Sequence, residues 1–358
     1  MAIGLSFIIA AGLVPALKRP ARHFGLVDVP CRRKRHSGAI PLTGGLAIFF
    51  GFLPAFLLNG PFLAPYATLA SGMLFLLVVG LLDDFVDIRA LLKLVCQVAV
   101  ATAMVLIGGL EITQFGMPFG ESVGVIGLGP FSIPFTIACV VFMINAFNMA
   151  DGLDGLAGGM GFFVLLLLAF IGWLDGASTT LITVCLILAT AVLGFLVYNM
   201  QSPFRKRASA FMGDAGSMML GFAIAWLAIK IVEADGSSVY PITIAWLLLL
   251  PATDTLALFF RRLSLGRSPL AADRAHFHYI LRRCGLSVRN TVRIIHLLVV
   301  TSGTIGILAW QNAWPQWPMF LGAVLVICGY MVLLTNAHRI MRWWLRKAKD
   351  DGRVTGNG

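Results

Sequence analysis

The sequence predicts an all-α membrane protein with about 11 transmembrane helices, its N-terminus outside and its C-terminus in the cytoplasm. Of its 358 residues, 59% are hydrophobic and only 12% are charged. A soluble domain carries roughly twice that share of charged residues. The composition therefore excludes a water-soluble enzyme, a disordered chain and a disulfide scaffold. The six cysteines are far apart, and we expect none of them to do chemistry.

Apolar runs define the predicted helices, because a helix needs about 20 apolar residues to cross a bilayer. Eleven runs qualify, and the odd number places the two termini on opposite sides of the membrane. The runs are residues 2–17, 43–60, 64–82, 91–110, 131–147, 158–174, 178–199, 211–232, 239–260, 292–311 and 317–337.

Basic residues predict the orientation of these spans. The loops after spans 1, 3, 5, 7 and 9, together with the C-terminal tail, hold 26 of the 27 Lys and Arg residues, and the exception is Lys230. The positive-inside rule assigns this face to the cytoplasm. Anionic lipid headgroups and phosphate substrates account for the positive charge, so we predict no nucleic-acid partner.

We expect a single transmembrane helical domain over residues 1–337 and a basic cytoplasmic tail over residues 338–358. No repeat or linker divides the chain. The predicted cytoplasmic loops are residues 18–42, 83–93, 145–157, 200–214 and 261–292.

Nine aspartates lie at or beside the predicted cytoplasmic ends of the spans. They are Asp28, Asp83, Asp84, Asp87, Asp151, Asp154, Asp214, Asp254 and Asp273. Carboxylates crowded at one depth repel one another unless a cation is present. Mg²⁺ is a suitable cation, because it takes one or two carboxylates and completes its shell with substrate phosphates. Acids in outer loops, such as Asp175, are interpreted as solvated charges.

The first acidic motif, Asp83-Asp84-Phe85-Val86-Asp87, closes the third span. It can be read as a polar helix end that meets the headgroups. Three like charges within five residues are unfavourable there, however, and ionisable groups at membrane depth are functional by default. We interpret this motif as part of a site.

The second motif runs from Asn145 to Gly159 and joins spans 5 and 6. Asn148, Asp151 and Asp154 recur every three residues, and no Lys or Arg neutralises the two acids. Its glycines let the backbone approach a ligand closely. Small-residue helix packing would explain the glycines but not the acids.

Three further segments carry polar residues, and each segment can be interpreted in two ways. Asp214 opens span 8, either as a helix cap or beside a phosphate site that the preceding basic residues would support. Asp254, inside span 9, either pairs with a neighbouring helix or reaches the site. The basic cluster that ends at His36 is either topogenic or substrate-binding.

The long loop over residues 261–292 contains Arg274, His276 and His278. Imidazole is not a typical Mg²⁺ ligand. We therefore interpret the two histidines beside Arg274 as donors to a phosphate or a sugar, with an amphipathic interfacial helix as the alternative. Together these motifs indicate a cytoplasm-facing Mg²⁺ site suited to phosphoryl transfer.

At these residues the sequence resembles the polyprenyl-phosphate N-acetylhexosamine-1-phosphate transferases, the family of WecA, TagO and MraY. The resemblance lies in Asp28-x-Pro30 with Arg33-Lys34 and Ile40-Pro41…Gly44-Gly45, Asp83-Asp84-x-x-Asp87, the segment from Asn145 to Gly159, Phe211-Met-Gly-Asp214-x-Gly-Ser217, and Asp273-Arg274-x-His276-x-His278. Eleven spans and the H-x-H form are similar to the WecA branch. The sequence departs from that branch at Tyr279, where a histidine is usual, and at Ala272, where a proline is usual.

The resemblance implies a phosphoglycosyl transferase of the bacterial inner membrane with its active site on the cytoplasmic face. Undecaprenyl phosphate would attack the β-phosphorus of a UDP-N-acetylhexosamine and release UMP. GlcNAc-1-phosphate is the expected group transferred, which would start a lipid-linked glycan such as O antigen or common antigen. The implied cofactor is Mg²⁺, with Mn²⁺ as a substitute.

The resemblance also implies the role of each residue. The catalytic residues would be Asp83, Asp84, Asp151 and Asp154, with Asp83 as base or nucleophile. Asp214 and Asp84 would bind the metal. The substrates would be bound by Asn148, Asn199, Phe211, Arg274, His276, His278 and His36.

Two alternatives stay open. One is the same reaction with another donor, such as a UDP-linked fucosamine, bacillosamine or MurNAc-pentapeptide. The other is a transporter of phosphorylated solutes, which would place ionisable groups near the bilayer midplane within inverted repeats. The acids here gather at the inner ends instead. A homodimer is compatible with the sequence.

Overall fold

The computed structural model describes residues 1–29, 38–58, 66–201, 205, 207–266, 268 and 276–336. Over these residues the chain is mostly α-helical. The helices are α1 (Ala2–His23), α2 (Gly44–Leu57), α3 (Ala67–Val86), α4 (Ala90–Leu106), α5 (Ser132–Ala150), α6 (Leu156–Leu174), α7 (Thr179–Asn199), α8 (Gly213–Val232), α9 (Pro241–Leu247), α10 (Leu249–Ser264), α11 (Phe277–Arg283), α12 (Val288–Gln311) and α13 (Gln316–Thr335). Between α1 and α2, β1 (Val27–Asp28) pairs antiparallel with β2 (Ile40–Pro41).

Eight of the described helices are long and apolar enough to cross a membrane, namely α1, α3, α5 with the 3₁₀ turn before it, α6, α7, α8, α12 and α13. The pair α9 and α10 makes a ninth if it is counted as one span, although the two helices are inclined by 77°. The apolar helices α2 and α4 are shorter, with 14 and 17 residues. The chain is therefore a polytopic all-α membrane protein. The count of eleven spans and the orientation stay predictions.

Several helices differ from the predicted spans at their ends, and one predicted span is broken. Helix α1 continues past Pro15 and Pro20 to His23, which neighbouring helices permit in membrane proteins by satisfying the freed backbone groups. Helix α5 reaches Ala150 and takes Asn148 out of the predicted loop. The predicted ninth span is broken at Leu248, three residues before Pro251, whose ring would clash with the carbonyl of residue 247 in a continuous helix.

Helix α8 lies at the centre of the bundle, where it packs against α2, α3, α5 and α6. Of its most apolar stretch, 89% is buried. Small residues bring the backbones close. A Cβ built on Gly80 of α3 would lie 2.2 Å from the Cα of Ala215, and one built on Gly45 of α2 would lie 2.6 Å from the N of Gly216. The beginning of α8 is therefore fixed against α2 and α3.

Candidate active site

Three aspartates meet where α3 ends and α8 begins. Asp83 and Asp84 lie on the last turn of α3, and Asp214 is the second residue of α8. Gly80 lies one turn before Asp84, so its close contact with Ala215 brings the acidic end of α3 onto the first turn of α8. The structure thus brings together the carboxylates that the sequence placed 130 residues apart.

Asp84 caps helix α8 from outside. Its Oδ1 accepts a hydrogen bond from the N–H of Asp214 at 3.0 Å, and its Oδ2 accepts one from the N–H of Ala215 at 3.3 Å. The first N–H groups of a helix lack partners within it, and a carboxylate there is favoured by the helix dipole. Gly213 precedes them with φ of 71°, and a Cβ at that position would lie 2.5 Å from Asp84 Oδ2. Only glycine suits both the backbone angle and the space.

Lys93 of α4 joins the other two carboxylates. Its Nζ lies 2.8 Å from Oδ2 of Asp83 and 3.3 Å from Oδ2 of Asp214. The second oxygen of Asp83 accepts a hydrogen bond from the N–H of Ile88 at 2.8 Å. Sequence reasoning counted Lys93 only as one of the inner-face charges. Lys93 is the single basic residue of an otherwise apolar helix. This position could have identified it as a candidate site residue.

The third acid of the first motif, Asp87, does not share a helical face with Asp83. It ends α3 in the left-handed region, with φ of 51°, and its side chain is exposed. Asp87 would lie on the same helical face as Asp83 only if α3 continued, and α3 ends one residue earlier, at Val86.

A chain of polar side chains extends the cluster along α4, α5 and α8. The amide of Asn148 donates to Ser217 Oγ at 3.0 Å, and Ser217 Oγ donates to the carbonyl of Gly213 at 3.0 Å. Further along α5, the amide of Asn145 donates to Gln97 of α4 at 2.6 Å. Asn148, predicted to bind substrate, therefore lies beside the start of α8.

Asp154 and Asn199 tie the α5–α6 connection to the segment before α8. Asp154 Oδ2 accepts hydrogen bonds from Gln201 Nε2 and from the N–H of Ala208, both at 3.0 Å. Asn199, 4% exposed, accepts from the N–H of Gly155 at 2.8 Å and donates to the carbonyl of Ala210 at 3.0 Å. The Asn199 amide is engaged on both sides by the protein itself, and its substrate contact stays a prediction.

Asp151 and Phe211 are both half-buried. Asp151 ends α5, with its N–H directed to the carbonyl of Asn148 at 3.3 Å. The backbone of Phe211 donates to the carbonyl of Pro41 and accepts from the N–H of Gly44, both at 2.9 Å. The Gly44-Gly45 motif thus serves the close packing of α2 on the approach to α8.

The two histidines lie at the start of α11 and next to the α5–α6 connection. His276 Nδ1 is 2.9 Å from Asp254 Oδ2. The rings of His276 and His278 stack at 5.4 Å with an interplanar angle of 14°. His278 is 2% exposed, and a Cβ built on Gly152 would lie 2.6 Å from its Nε2. Asp254 was expected either to pair with a neighbouring helix or to reach the site. The structure supports the first, because Asp254 pairs with His276 at the start of α11. Through His276 it is also connected to the histidine motif.

Burial, with a contribution from His276, lowers the pKa of His278 to about 4. His278 is therefore neutral at pH 7 and can serve a substrate as a neutral hydrogen-bonding group. Arg274, Asp273 and His36 lie outside the described residues, so their predicted contacts stay predictions.

The carboxylates suit a magnesium ion. No group of three His, Cys, Asp or Glu side chains is arranged to hold a metal in the part of the chain that the structure describes. Asp83 and Asp214, however, already direct one oxygen each at a cation, the Lys93 ammonium. Mg²⁺ needs only one or two protein carboxylates when substrate phosphates complete its shell. Asp214, with its side chain 34% exposed, and the neighbouring Asp84 fit that requirement.

The fold and this cluster define a polytopic helical membrane protein with a carboxylate-lined polar site at one end of its central helix. The model of glycosyl transferase family 4 matches residues 66–232, which include every acid of the cluster and Lys93. The chain is 34% identical to a protein of Escherichia coli over 91% of this chain and 88% of that protein. It is 34% identical to one of Haemophilus influenzae over 99% of both chains, and 31% identical to one of Yersinia pestis over 98% and 95%.

All three relatives are named undecaprenyl-phosphate alpha-N-acetylglucosaminyl 1-phosphate transferase. The chain belongs to glycosyl transferase family 4. The predicted family resemblance is thereby confirmed, and these relatives support the WecA branch.

Proposed function

We propose that this protein is a phosphoglycosyl transferase that moves GlcNAc-1-phosphate from UDP-GlcNAc to undecaprenyl phosphate and releases UMP. The observation that carries the proposal is the cluster of Asp83, Asp84, Asp214 and Lys93 in a chain that aligns over nearly its whole length with relatives named for this transfer. The site faces the cytoplasm of a bacterial inner membrane, and the product starts a lipid-linked glycan.

The reaction exchanges one phosphorus–oxygen bond for another. An oxygen of the lipid phosphate bonds to the β-phosphorus of the donor, and the bond from that phosphorus to the bridging oxygen breaks, leaving its electrons on UMP. A phosphate monoester is already mostly ionised at pH 7. Positioning and charge neutralisation therefore matter more than a strong base.

Lys93 and Asp83 form the acceptor side of the site. The Lys93 ammonium is the positive group that can draw the lipid phosphate toward the carboxylates. Both oxygens of Asp83 accept hydrogen bonds, from Ile88 and Lys93, and the residue is 7% exposed. These contacts favour a carboxylate that orients Lys93 and serves as base over one that attacks phosphorus itself.

Asp214, with Asp84, holds Mg²⁺ in this proposal. When bound, the ion neutralises charge on the donor phosphates. Asp84 also has a structural role. It accepts hydrogen bonds from the first turn of α8 and so fixes the direction of Asp214.

The donor lies along the α5–α6 connection. Asp151, Asp154 and Asn148 border the nucleotide, and His276 and His278 contact the diphosphate or the sugar. His278 Nε2 supports this arrangement, because it is buried, has no hydrogen-bond partner among the residues that the structure describes, and faces Gly152. A buried polar atom without a partner is costly in a native protein, and a ligand atom at this point would satisfy it.

Transport of phosphorylated solutes is the alternative from another class. A transporter would place its ionisable groups near the middle of the membrane. Asp83 and Asp84 lie on the last turn of their helix, and Asp214 lies on the first turn of its own. These positions favour chemistry at the membrane surface.

The test uses purified protein in detergent with undecaprenyl phosphate, Mg²⁺ and a panel of UDP-sugars, and it measures UMP release. We expect release with UDP-GlcNAc. Asp214→Asn should abolish the Mg²⁺-dependent release without unfolding the protein, and the exposed outer-loop variant Asp235→Asn should match the wild type. Release with another UDP-sugar alone would overturn the choice of donor. A folded sample that releases UMP from none would overturn the reaction and favour transport.

A further inference from the structure

Asp254 is a buried carboxylate that the reaction above does not use. It lies on α10, six residues after Leu248, where the break separates α10 from α9, and its side chain is 15% exposed. Isolated charges are expensive to bury, so buried carboxylates are paired or hydrogen-bonded. Asp254 meets this requirement with three donors, and all three come from other helices or their caps.

The three contacts join the histidine motif to the last described helix. His276 Nδ1 lies 2.9 Å from Oδ2, and the N–H of Phe277 donates to Oδ1 at 3.0 Å. The hydroxyl of Tyr330, on α13, donates to the same Oδ1. One carboxylate therefore holds both the ring of His276 and the backbone that follows it.

The chemistry of the pair fixes the hydrogen on the His276 ring. An ionised carboxylate can only accept, so Nδ1 must carry the hydrogen that it shares with Asp254. In the neutral ring the lone pair is then on Nε2, which becomes the nitrogen available to a ligand. Without the carboxylate, either nitrogen could carry the hydrogen.

The orientation of the His276 ring also affects the position of the His278 ring. The two rings are nearly parallel, and His278 directs its Nε2 toward Gly152 in the α5–α6 connection. Within the described part of the chain this nitrogen has no hydrogen-bond partner. A rotation of His276 would remove the surface on which His278 stacks.

We propose that Asp254 is a positioning residue for the His276–His278 pair, setting the tautomer and ring direction of His276, and that Tyr330 steadies Asp254 in this task. The inference rests on the proposed function in one respect, since it takes His276 to be a contact for the nucleotide sugar. Helix α13 thereby gains a role in the site, although it follows both histidines in the sequence.

The first test reads the tautomer without using activity. Protein labelled with ¹⁵N-histidine is compared with its His276→Gln variant to assign the ring nitrogens of residue 276. We expect hydrogen on Nδ1 in the wild type. Asp254→Asn can present an amide N–H to the ring, so it should move the hydrogen to Nε2. A His276 spectrum unchanged by Asp254→Asn, or hydrogen on Nε2 in the wild type, would overturn the proposal.

The second test asks whether Asp254 acts through His276. Asp254→Asn should lower kcat/KM for UDP-GlcNAc by about 10- to 100-fold, by analogy with the loss caused when the hydrogen-bond partner of a metal-bound histidine is removed. The KM for undecaprenyl phosphate should not change. In a His276→Gln background the same substitution should cost nothing further. Equal losses in both backgrounds would assign Asp254 a purely structural role and overturn the proposal.

Tyr330→Phe keeps the test informative if Asp254→Asn does not fold. This variant retains the carboxylate and its bond to His276, so hydrogen should stay on Nδ1 while the KM for UDP-GlcNAc rises several-fold. A Tyr330→Phe enzyme with wild-type kinetics would remove Tyr330 from the proposal. Absence of transfer by the wild type, with hydrogen on Nδ1, would contradict the proposed function and leave the positioning role of Asp254 intact.

Discussion

At the scale of single residues, the site depends on how charge is balanced at membrane depth. Asp83 and Asp214 can lie close together because Lys93 Nζ lies between them at 2.8 and 3.3 Å. If one of these three charges is removed, the others are left uncompensated, and the loss of stability exceeds the net stabilisation that the ion pairs provide. Lys93 should therefore matter as much as the acids.

Lys93→Met tests this directly, because it keeps the length of the side chain and removes the charge. We expect UMP release to fall by at least about 100-fold, the loss typical of one preorganised donor at a phosphoryl or acyl site. The control is Lys230→Met, near the opposite end of α8, which should retain activity. A Lys93→Met enzyme as fast as the control would exclude Lys93 from the site.

His278 gives the protein a dependence on pH. Its pKa is about 4 in the folded protein and 6.5 as an ordinary histidine, so the unfolded chain binds a proton more readily than the folded one. The contribution of His278 to the free energy of unfolding is therefore present above pH 6.5 and is lost as the pH falls toward 4. Between pH 6.5 and 5 the loss should be about 1.5 kcal/mol.

Thermal unfolding in detergent at pH 6.5, 6.0, 5.5 and 5.0 measures this loss. The melting temperature of the wild type should decrease across the series, and His278→Gln should show a shallower decrease. The exposed His23 provides the control, since His23→Gln should leave the slope unchanged. Parallel slopes for the wild type and His278→Gln would contradict the expectation.

Sequence reasoning identified the acids but not their partners. Asp83, Asp84 and Asp214 could be predicted because like charges at a helix end need a reason to be there. Lys93 could not, since its role depends on how α4 packs beside α3 and α8. For Asp84, a role as metal ligand could be predicted from the sequence. Its role as a cap for α8 could not, because that role depends on a contact with Asp214, 130 residues away in the chain.

At the scale of elements, hydropathy predicted where helices lie and missed how they break. The runs of apolar residues that define α5, α6, α7 and α8 correspond to helices within a few residues. The 77° inclination between α9 and α10 was not visible, because hydropathy averages over the Pro251 that interrupts the backbone hydrogen bonds. Asp254 is placed against α11 by the helix that starts after this break.

Gly80→Ala should separate the two helices that build the cluster. The added Cβ would lie 2.2 Å from backbone Cα of Ala215, so a helix must shift, and such overpacking costs about 1–3 kcal/mol. The shift would loosen the hydrogen bonds between Asp84 and α8. We expect a lower melting temperature and a loss of UMP release.

Gly12→Ala on α1 is the matched control, because a Cβ there would meet no atom of the described residues within 4 Å. It should be as active as the wild type and no less stable, since alanine favours a helix over glycine. If Gly80→Ala behaved like Gly12→Ala, the α3–α8 contact would not be as close as described.

At the scale of the whole molecule, charge predicts how the bundle lies in the membrane. We expect the end of the bundle that carries the cluster to face the cytoplasm. Cysteine labelling in intact spheroplasts tests this, with the native cysteines replaced by alanine. Glu121→Cys should react with a membrane-impermeant maleimide, and Ser264→Cys, which is also exposed on the protein, should react only after lysis. The reverse pattern would invert the topology.

Composition was enough to predict the class of the molecule, and the order of acidic motifs was enough to predict its family. Neither could predict the central place of α8, since its sequence is no more apolar than that of its neighbours. Its mean hydropathy of 1.8 equals that of α5 with the preceding 3₁₀ turn. What distinguishes α8 is the series of small residues at its start, including Gly213 and Gly216, which matter only when other helices lie against them.

The central place of α8 has a consequence for how the enzyme is made. A ribosome delivers α3 to the membrane long before α8, because 130 residues separate Asp84 from Asp214. At about 5–20 residues per second, that interval is on the order of 10 s. During it Asp83 and Asp84 must wait at the bilayer without the helix that Asp84 caps. Until α8 enters the membrane, the carboxylate of Asp84 lacks the backbone N–H groups of Asp214 and Ala215 that it binds in the folded protein.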